Sequence, residues 1–180
     1  MATNTLKLGS QAPDFNLPAV DGNAYSLDSF SDKKGVVVIF SCNHCPYVKA
    51  YENRIMQIQE DYKNDIAVVA INSNDAENYP DDSFENMKVR AAEMNFNFVY
   101  LRDEDQSIAK AYHATHTPEI FLFDGERKLV YQGKIDDNWK EPENVKVPYL
   151  RNAINEMVAG KNVSEPETFS IGCTIKWKNN

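Results

Sequence analysis

The chain has 180 residues, of which 42% are hydrophobic and 26% charged, a composition ordinary for a soluble globular protein. Its net charge of −8, from 19 basic and 27 acidic side chains, disfavours nucleic acid as a partner because phosphate backbones repel an acidic surface. The longest apolar run, residues 36–40, is too short to span a membrane, and residues 1–15 lack the apolar core of a signal peptide. We therefore expect one domain over residues 1–180, in the cytoplasm, without a membrane or nucleic-acid partner.

The first half of the chain predicts a hairpin, a strand and a helix. The turn "VDGN" separates short strands near residues 15–18 and 24–27. The apolar run "GVVVIF" predicts a strand buried on both faces. A helix begins at Pro46, because the fixed φ of proline suits the first helical position. The predicted apolar face of this helix consists of Tyr47, Tyr51, Ile55, Ile58 and Tyr62.

The second half continues the alternation of strands and helices and closes with a hairpin. The predicted elements are, in order, a strand at 66–71, a polar loop, a helix over 83–94, a strand at 98–101, a short helix at 105–113, two strands around the turn Asp124–Gly125, and a helix from Pro148 to Gly160. Strands that alternate with helices predict a largely parallel sheet flanked by helices, and the closing hairpin makes the sheet mixed. The predicted fold class is therefore α/β.

Three cysteines, Cys42, Cys45 and Cys173, are too few and too odd in number for a disulfide-stapled secreted domain. Cys42 ends the buried strand, and Cys45 falls just before or within the first turn of the helix, where free N–H groups and the helix dipole stabilise a thiolate. A C-x-x-C pair at such a corner favours redox chemistry over inert buried thiols. His44 adds a cation beside the pair, but a fall in thiol pKa from about 8.5 to about 6.5 shifts the redox potential by only roughly 20 mV.

Two long segments carry a family resemblance. The first begins "LGSQAPDFNLP", with the run G-x-x-A-P-D-F, and the second runs from "RDEDQSIAKAYHATHTPEIFLF" to "KIDD". Together they cover residues 9–137 and resemble the thioredoxin fold in its peroxiredoxin-like branch, the alkyl hydroperoxide reductase and thiol-specific antioxidant (redoxin) superfamily. The tail over 161–180, with "PETFSIGCTIKWK", resembles an uncharacterised subgroup that carries C-N-H-C-P. The resemblance implies a mixed central sheet flanked by helices, an N-terminal hairpin extension, a tail packed on the domain, and no cofactor.

The same resemblance implies a role for each matching residue of a thiol–disulfide oxidoreductase. Cys42 matches the nucleophilic cysteine, and Cys45 matches the resolving cysteine. Pro118 matches the cis-proline loop that faces the disulfide, and Thr117 before it is expected to offer backbone groups to a substrate chain. Tyr47 is close enough to the cysteines to line the site. The implied partners are protein or small-molecule disulfides and thiols, together with a thiol reductant system.

Two positions depart from the thioredoxin pattern. Ser41 stands where thioredoxins have Trp before the first cysteine. Val36 stands where they have a buried carboxylate that accepts a proton from the resolving thiol. Another group, or water, must therefore move that proton, and Glu52 and His116 are weak candidates in this sequence.

Peroxide reduction by an antioxidant protein is the nearest alternative function. Peroxiredoxins use P-x-x-x-T/S-x-x-C and an Arg that polarises the peroxide. If Cys45 is the peroxidatic residue, Cys42 takes the Thr position and Val38 the Pro position. No Arg lies between Arg102 and Arg127, near the loop that faces the cysteines. Because the peroxide oxygens then lack positioned donors, we expect peroxidase activity to be weak.

The histidines near Pro118 and the third cysteine admit further interpretations. His113 and His116 form H-x-x-H, so a Zn²⁺ or Cu⁺ site with the cysteine pair is a second alternative function. The spacing is shorter than that of usual zinc sites, and surface positions for both histidines are the simpler interpretation. Cys173, on a short strand or a docked tail, is a third redox thiol, a trap for mixed disulfides or an inert buried thiol.

Overall fold

In the computed structural model, which describes residues 5–179, a five-stranded mixed sheet forms the centre of the molecule. The strands are β1 (Asn16–Pro18), β2 (Ala24–Ser26), β3 (Gly35–Phe40), β4 (Ile66–Asn72), β5 (Val99–Arg102), β6 (His116–Thr117), β7 (Glu119–Phe123), β8 (Leu129–Gly133) and β9 (Cys173–Thr174). The α-helices are α1 (Pro46–Tyr62), α2 (Phe84–Met94), α3 (Ser107–Ala111) and α4 (Tyr149–Val158). Short 3₁₀ turns are formed by Leu27–Phe30, Pro80–Asp82 and Pro142–Asn144.

The strands of the central sheet follow the order β5-β4-β3-β7-β8. β3, β4 and β5 are parallel, whereas β7 and β8 run antiparallel to their neighbours. Parallel neighbours need a crossover connection, which α1 and α2 supply. This arrangement confirms the predicted mixed sheet flanked by helices, and β1 pairs with β2 in the predicted N-terminal hairpin.

The two faces of β3 belong to different parts of the core. All six of its residues are buried, and successive side chains point to opposite faces. Val37 and Ile39 pack with side chains of α1 and α4. Val36 and Val38 pack with the N-terminal segment and α3. Each buried Val or Ile contributes roughly 1.5–3 kcal/mol, so both faces hold the strand that ends just before Cys42.

The long helix α1 begins at Pro46, as predicted. Its buried apolar residues are Val48, Tyr51, Ile55 and Ile58. These positions are three or four residues apart and therefore share one face. Tyr47 and Tyr62, at the ends of the predicted face, are only partly buried, although each packs against a buried cluster. Val48, which was not predicted, belongs to the buried residues of the helix.

The other helices are short. α3 covers Ser107–Ala111 rather than the predicted 105–113, because Gln106 and His113 have φ angles of 64° and 55°, which lie outside the helical range. Met87 is the buried residue of α2. Among residues 5–179, no helix has the length and apolar character needed to cross a membrane.

The C-terminal tail lies against the domain. β9 pairs antiparallel with β6, and Ile175, just after it, is buried in the core beneath β3. The carbonyl oxygen of Lys176 accepts hydrogen bonds from the N–H group of Asp75 and from the side chain of Gln106. Apolar burial and buried polar contacts together hold the tail beside the cysteine pair.

Candidate active site

The cysteine pair lies at the corner where β3 leads into α1. Cys42 follows the end of the strand, and Cys45 is the N-cap residue of the helix, directly before Pro46. Both side chains are covered, with 1% and 0% of their surface exposed. Because the free N–H groups of the first helical turn point toward the N-cap, the positive end of the helix dipole favours a thiolate at Cys45.

The surroundings of the two cysteines shift their pKa values in opposite directions. The hydrogen bond from the Cys42 thiol is the largest of the effects that lower the pKa of Cys45 to about 4, against the opposing cost of burial. The Cys173 thiol and the N–H group of Val48 act in the same direction. The pKa of Cys42 is instead raised, by its hydrogen bond to Cys45, by burial and by the carboxylate of Asp82. These contacts, together with the helix N-terminus, favour the thiolate on Cys45 over Cys42.

Thr117 contacts both sulfur atoms of the pair. Its peptide bond to Pro118 is cis, as the sequence predicted. Thr117 Oγ1 lies 3.4 Å from Cys42 Sγ, and the Thr117 carbonyl oxygen lies 3.4 Å from Cys45 Sγ. The loop before Pro118 therefore faces the cysteines at contact distance.

Cys173 reaches the pair from the C-terminal tail. In the pairing of β9 with β6, Cys173 stands opposite Thr117, and its Sγ atom lies 2.7 Å from Cys45 Sγ. Gly172 permits this close approach, since a Cβ atom there would lie 2.1 Å from the carbonyl oxygen of Thr117. Burial, followed by the hydrogen bond to Cys45, raises the pKa of Cys173 to about 11. The three thiols form one cluster in which Cys45 contacts both of the others.

A buried carboxylate that was not predicted from the sequence lies beside Cys42. Asp82 has 0% of its surface exposed. Its Oδ1 atom accepts hydrogen bonds from the Asn43 N–H group at 2.6 Å and from Asn72 Nδ2 at 3.1 Å, and its Oδ2 atom accepts one from Asn74 Nδ2 at 3.0 Å. The residues did contain a signal: β3 and β4 are parallel and end at the same edge of the sheet, so the polar stretch after β4 lies near the corner after β3.

His44 pairs with Asp82. Its Nδ1 atom lies 2.5 Å from Asp82 Oδ2, at an angle unsuited to a hydrogen bond, so the contact is an ion pair when the imidazole is protonated. The donor atoms of Cys42, His44 and Asp82 all lie within 4.8 Å of one another. The imidazole of His44 and the carboxylate of Asp82 are therefore close enough to Cys42 to take up the proton of its thiol.

The weak candidates for proton transfer and metal binding, Glu52, His113 and His116, lie outside this arrangement. Glu52, a predicted proton acceptor, is instead paired with Arg90, whose Nε atom lies 3.2 Å from Glu52 Oε1. His116 Nδ1 contacts Thr115 Oγ1 at 2.8 Å, and His113 stands just beyond α3 with a left-handed backbone. In the described part of the chain, the compact set of metal-capable donors is the Cys42, His44 and Asp82 group and does not include the H-x-x-H pair.

Tyr47 lines the thiol cluster from the first turn of α1. It packs against the same apolar group as Cys42 and Cys45, as expected from its position, and its ring centroid lies 4.3 Å from that of Trp139. Arg54 donates a hydrogen bond of 2.5 Å to the Trp139 carbonyl oxygen and so holds the loop that carries this ring. Tyr47 therefore covers one side of the cysteines and is itself backed by the Trp139 ring.

Known proteins share this architecture. The crystal structure of an uncharacterized conserved protein from Geobacillus kaustophilus is similar over 98% of this chain and 95% of that chain, with 44% identity and a TM-score of 0.90. The thioredoxin domain of a thiol-disulfide oxidoreductase from Bacteroides vulgatus shares the fold, with 22% identity and a TM-score of 0.61 over 71% of this chain and 89% of that one. Thioredoxin-like protein YneN of Bacillus subtilis is 28% identical over 116 residues, 64% of this chain, and the match spans 65% of the length of that curated relative.

The family match covers the elements that build the site. The model of the Redoxin family matches residues 7–153. This range includes the corner with Cys42 and Cys45, the buried Asp82 and the cis Pro118, whereas Cys173 lies beyond it. Because the match covers most of the chain, we conclude that the chain belongs to the Redoxin family.

Proposed function

We propose that the protein is a thiol–disulfide oxidoreductase in which Cys42 and Cys45 alternate between dithiol and disulfide. The observation that carries the proposal is the position of Cys45, which is the N-cap of α1, contacts the Cys42 thiol and has its pKa lowered to about 4. Thiol–disulfide exchange needs a thiolate at neutral pH and a second thiol within reach of it. Electrons pass between sulfur atoms, so the proposed reaction uses no cofactor.

We assign the first attack to Cys45, although the family resemblance implies Cys42. The Cys45 thiolate attacks a substrate disulfide, forms a mixed disulfide and releases the first substrate thiolate. The Cys42 sulfur then attacks Cys45 Sγ, releases the second substrate thiolate and leaves the Cys42–Cys45 disulfide. The support for this order is that α1 begins directly after Cys45, so its free N–H groups stabilise a thiolate there.

Asp82 and His44 are proposed to receive the proton that Cys42 loses in the second step. A carboxylate oxygen of Asp82 and a ring nitrogen of His44 lie within 4.8 Å of Cys42 Sγ. The pKa of Cys42 is raised by its hydrogen bond to Cys45 and by burial, with Asp82 third, so this thiol needs a nearby acceptor when it attacks. Thioredoxins have a buried carboxylate at the position where this chain has Val36. In this proposal Asp82, which follows β4, takes over its role as proton acceptor.

The proposed substrates are protein or small-molecule disulfides, and a thiol reductant system restores the dithiol. Thr117 supports the proposal because its carbonyl oxygen and hydroxyl group both contact the reacting sulfurs. The fold shared with a solved thiol-disulfide oxidoreductase is consistent with the same chemistry. A substrate chain that pairs with β6 must first displace β9, which occupies that strand.

Insulin reduction and a glutathione redox titration test the proposal. We expect Cys45→Ser to stop turnover in the insulin assay, because it removes the attacking thiolate, and Cys42→Ser to slow turnover, because it removes the resolving thiol of the pair. Cys173→Ser, the matched control, keeps the pair and is expected to reduce insulin and to form the Cys42–Cys45 disulfide. If neither substitution in the pair changes the insulin rate, the redox proposal is wrong.

The order of attack is tested separately by trapping the first intermediate. Cys42→Ser/Cys173→Ser leaves only Cys45, and Cys45→Ser/Cys173→Ser leaves only Cys42. We expect glutathione disulfide at neutral pH to modify the first variant much faster than the second, since only the thiolate reacts. Faster modification of Cys42 would restore the order implied by the resemblance.

A further inference from the structure

We propose that Cys173 is a second resolving thiol, which attacks Cys45 Sγ in a mixed disulfide and forms a Cys45–Cys173 disulfide in competition with Cys42. The inference rests on the proposed exchange chemistry at Cys45. Its central observation is the distance of 2.7 Å between Cys45 Sγ and Cys173 Sγ, across a sequence separation of 128 residues. Cys45 therefore has a potential resolving partner on each of two sides, from the strand end before α1 and from the C-terminal tail.

The tail presents Cys173 in the manner of a bound peptide. β9 runs antiparallel to β6, with Cys173 opposite Thr117, and the Ile175 N–H group donates to the Thr115 carbonyl oxygen at 2.9 Å. Addition of an extended segment to a strand edge is a general way in which proteins hold peptide ligands. A cysteine in such a segment, in contact with Cys45, has the position of a reacting group.

Anchors behind β9 hold Cys173 in place. Ile175 has 2% of its surface exposed. The Lys176 N–H group donates to Asn74 Oδ1 at 2.9 Å, and the Asp75 N–H group donates to the Lys176 carbonyl oxygen at 2.8 Å. Because the thiol is held in contact, its effective concentration at Cys45 far exceeds that of a free thiol in solution.

The reaction balances without an added co-reactant beyond the substrate disulfide RSSR′. Attack by Cys45 forms Cys45–S–S–R and releases R′S⁻. The Cys173 thiol then gives up its proton and its sulfur attacks Cys45 Sγ; the new S–S bond forms as the bond to R breaks, and RS⁻ leaves and takes up a proton. The two substrate sulfurs gain two electrons, which the sulfurs of Cys45 and Cys173 lose.

Formation of the mixed disulfide also makes Cys173 easier to ionise. Burial is the largest cause that raises the pKa of Cys173, and the next two are the hydrogen bond to Cys45 and its negative charge. The latter two disappear when the Cys45 sulfur is bonded to R. Lys176, whose positive charge favours the Cys173 thiolate, remains.

Oxidation of Cys42→Ser by glutathione disulfide tests the proposal. The sample is quenched with acid, alkylated and digested, and the disulfides are identified by mass spectrometry. We expect glutathione to add to Cys45 and then to leave as the Cys45–Cys173 disulfide forms. In the matched control Cys42→Ser/Cys173→Ser, we expect glutathione to stay on Cys45 about 100-fold longer.

Equal lifetimes of the glutathione adduct in the single and double variants would overturn the proposal. Far-UV circular dichroism and urea midpoints show whether both variants are folded. If one is not, time-resolved oxidation of the wild type decides: both Cys42–Cys45 and Cys45–Cys173 disulfides support the proposal, and Cys42–Cys45 alone overturns it. Failure of the proposed function gives a different result, because glutathione then adds to Cys45 in neither variant and the wild type forms no disulfide of the pair.

Discussion

Cys45 differs from an ordinary buried cysteine in the donors around it. Buried thiols in apolar surroundings usually resist ionisation, because burial disfavours the charged form. Here the Cys42 thiol, the Cys173 thiol and the Val48 N–H group all stabilise the negative charge. The reactivity of Cys45 therefore depends on these neighbours and is expected to change when one of them is removed.

The pH dependence of alkylation measures this effect. The rate at which iodoacetamide modifies Cys45 is expected to vary little between about pH 8 and about pH 6 and to fall as the pH drops through about 4, because protonation removes the reactive thiolate. In Cys42→Ala the largest lowering effect is lost, so the midpoint moves to higher pH. Peptide-resolved mass spectrometry gives the rate for Cys45 alone. A wild-type midpoint near the ordinary cysteine value of about 8.5 would contradict the assignment of the thiolate to Cys45.

Substitution of Asp82 tests the proposed proton acceptor. Asp82→Asn removes the negative charge beside Cys42 and is expected to slow resolution by Cys42 by about 100-fold, a common size for the loss of an acid–base group. Rapid-quench trapping of the Cys45 mixed disulfide in a Cys173→Ser background measures this step. Asp81→Asn is the matched control, because its side chain is exposed. Equal resolution rates in the two variants would remove Asp82 from the mechanism.

At the scale of elements, strand pairing explains why distant segments meet at the thiol cluster. β3 and β7 are antiparallel neighbours, and Phe40 pairs with Glu119. This register places the residues after β3 beside those before β7, so Cys42 lies against Thr117. β6 then provides the edge on which β9 adds Cys173.

The close approach at Gly172 makes the docking of β9 sensitive to a single methyl group. In Gly172→Ala the new Cβ atom meets the Thr117 carbonyl oxygen at 2.1 Å, so β9 must shift away from β6. We expect faster alkylation of Cys45, little Cys45–Cys173 disulfide, and a loss of about 1–3 kcal/mol in the free energy of unfolding. Gly125→Ala is the control, since its Cβ would lie 3.4 Å from its nearest neighbour, the Lys34 carbonyl oxygen. Unchanged Cys45 reactivity in Gly172→Ala would show that the tail does not shield the thiolate.

At the scale of the whole molecule, the sequence predicted the features that depend on local pattern. The continuous apolar residues of β3 and β4 predicted buried strands, and Pro46 predicted the start of α1. The redox role of the cysteine pair was predicted from its C-x-x-C spacing, and the cis peptide bond before Pro118 from the family resemblance. Asp82 and Cys173 could not be positioned in this way, because their contacts cross 39 and 128 residues of chain and depend on the final sheet order and tail path.

The whole-molecule arrangement also predicts slow reduction of hydrogen peroxide. Cys42 occupies the position where peroxiredoxins have a hydroxyl donor. The guanidinium of Arg102 is already engaged with Glu104 and with the carbonyl oxygens of Asn72, Asn74 and Asp82. We therefore expect peroxide consumption, measured with excess thiol reductant, to be much slower than exchange with a disulfide substrate. A peroxide rate that rivals the disulfide rate would favour the antioxidant alternative.

The thiol cluster has a consequence for oxidative damage. An oxidant converts a cysteine thiolate first to a sulfenic acid, and a second oxidation to sulfinic acid is in general irreversible. Because Cys45 is covered and contacts the thiols of Cys42 and Cys173, a sulfenic acid formed there has two neighbours with which it can condense to a disulfide and release water. Internal condensation then competes with the second oxidant molecule, so the same contacts that close the site keep its chemistry within the reversible stage of cysteine oxidation.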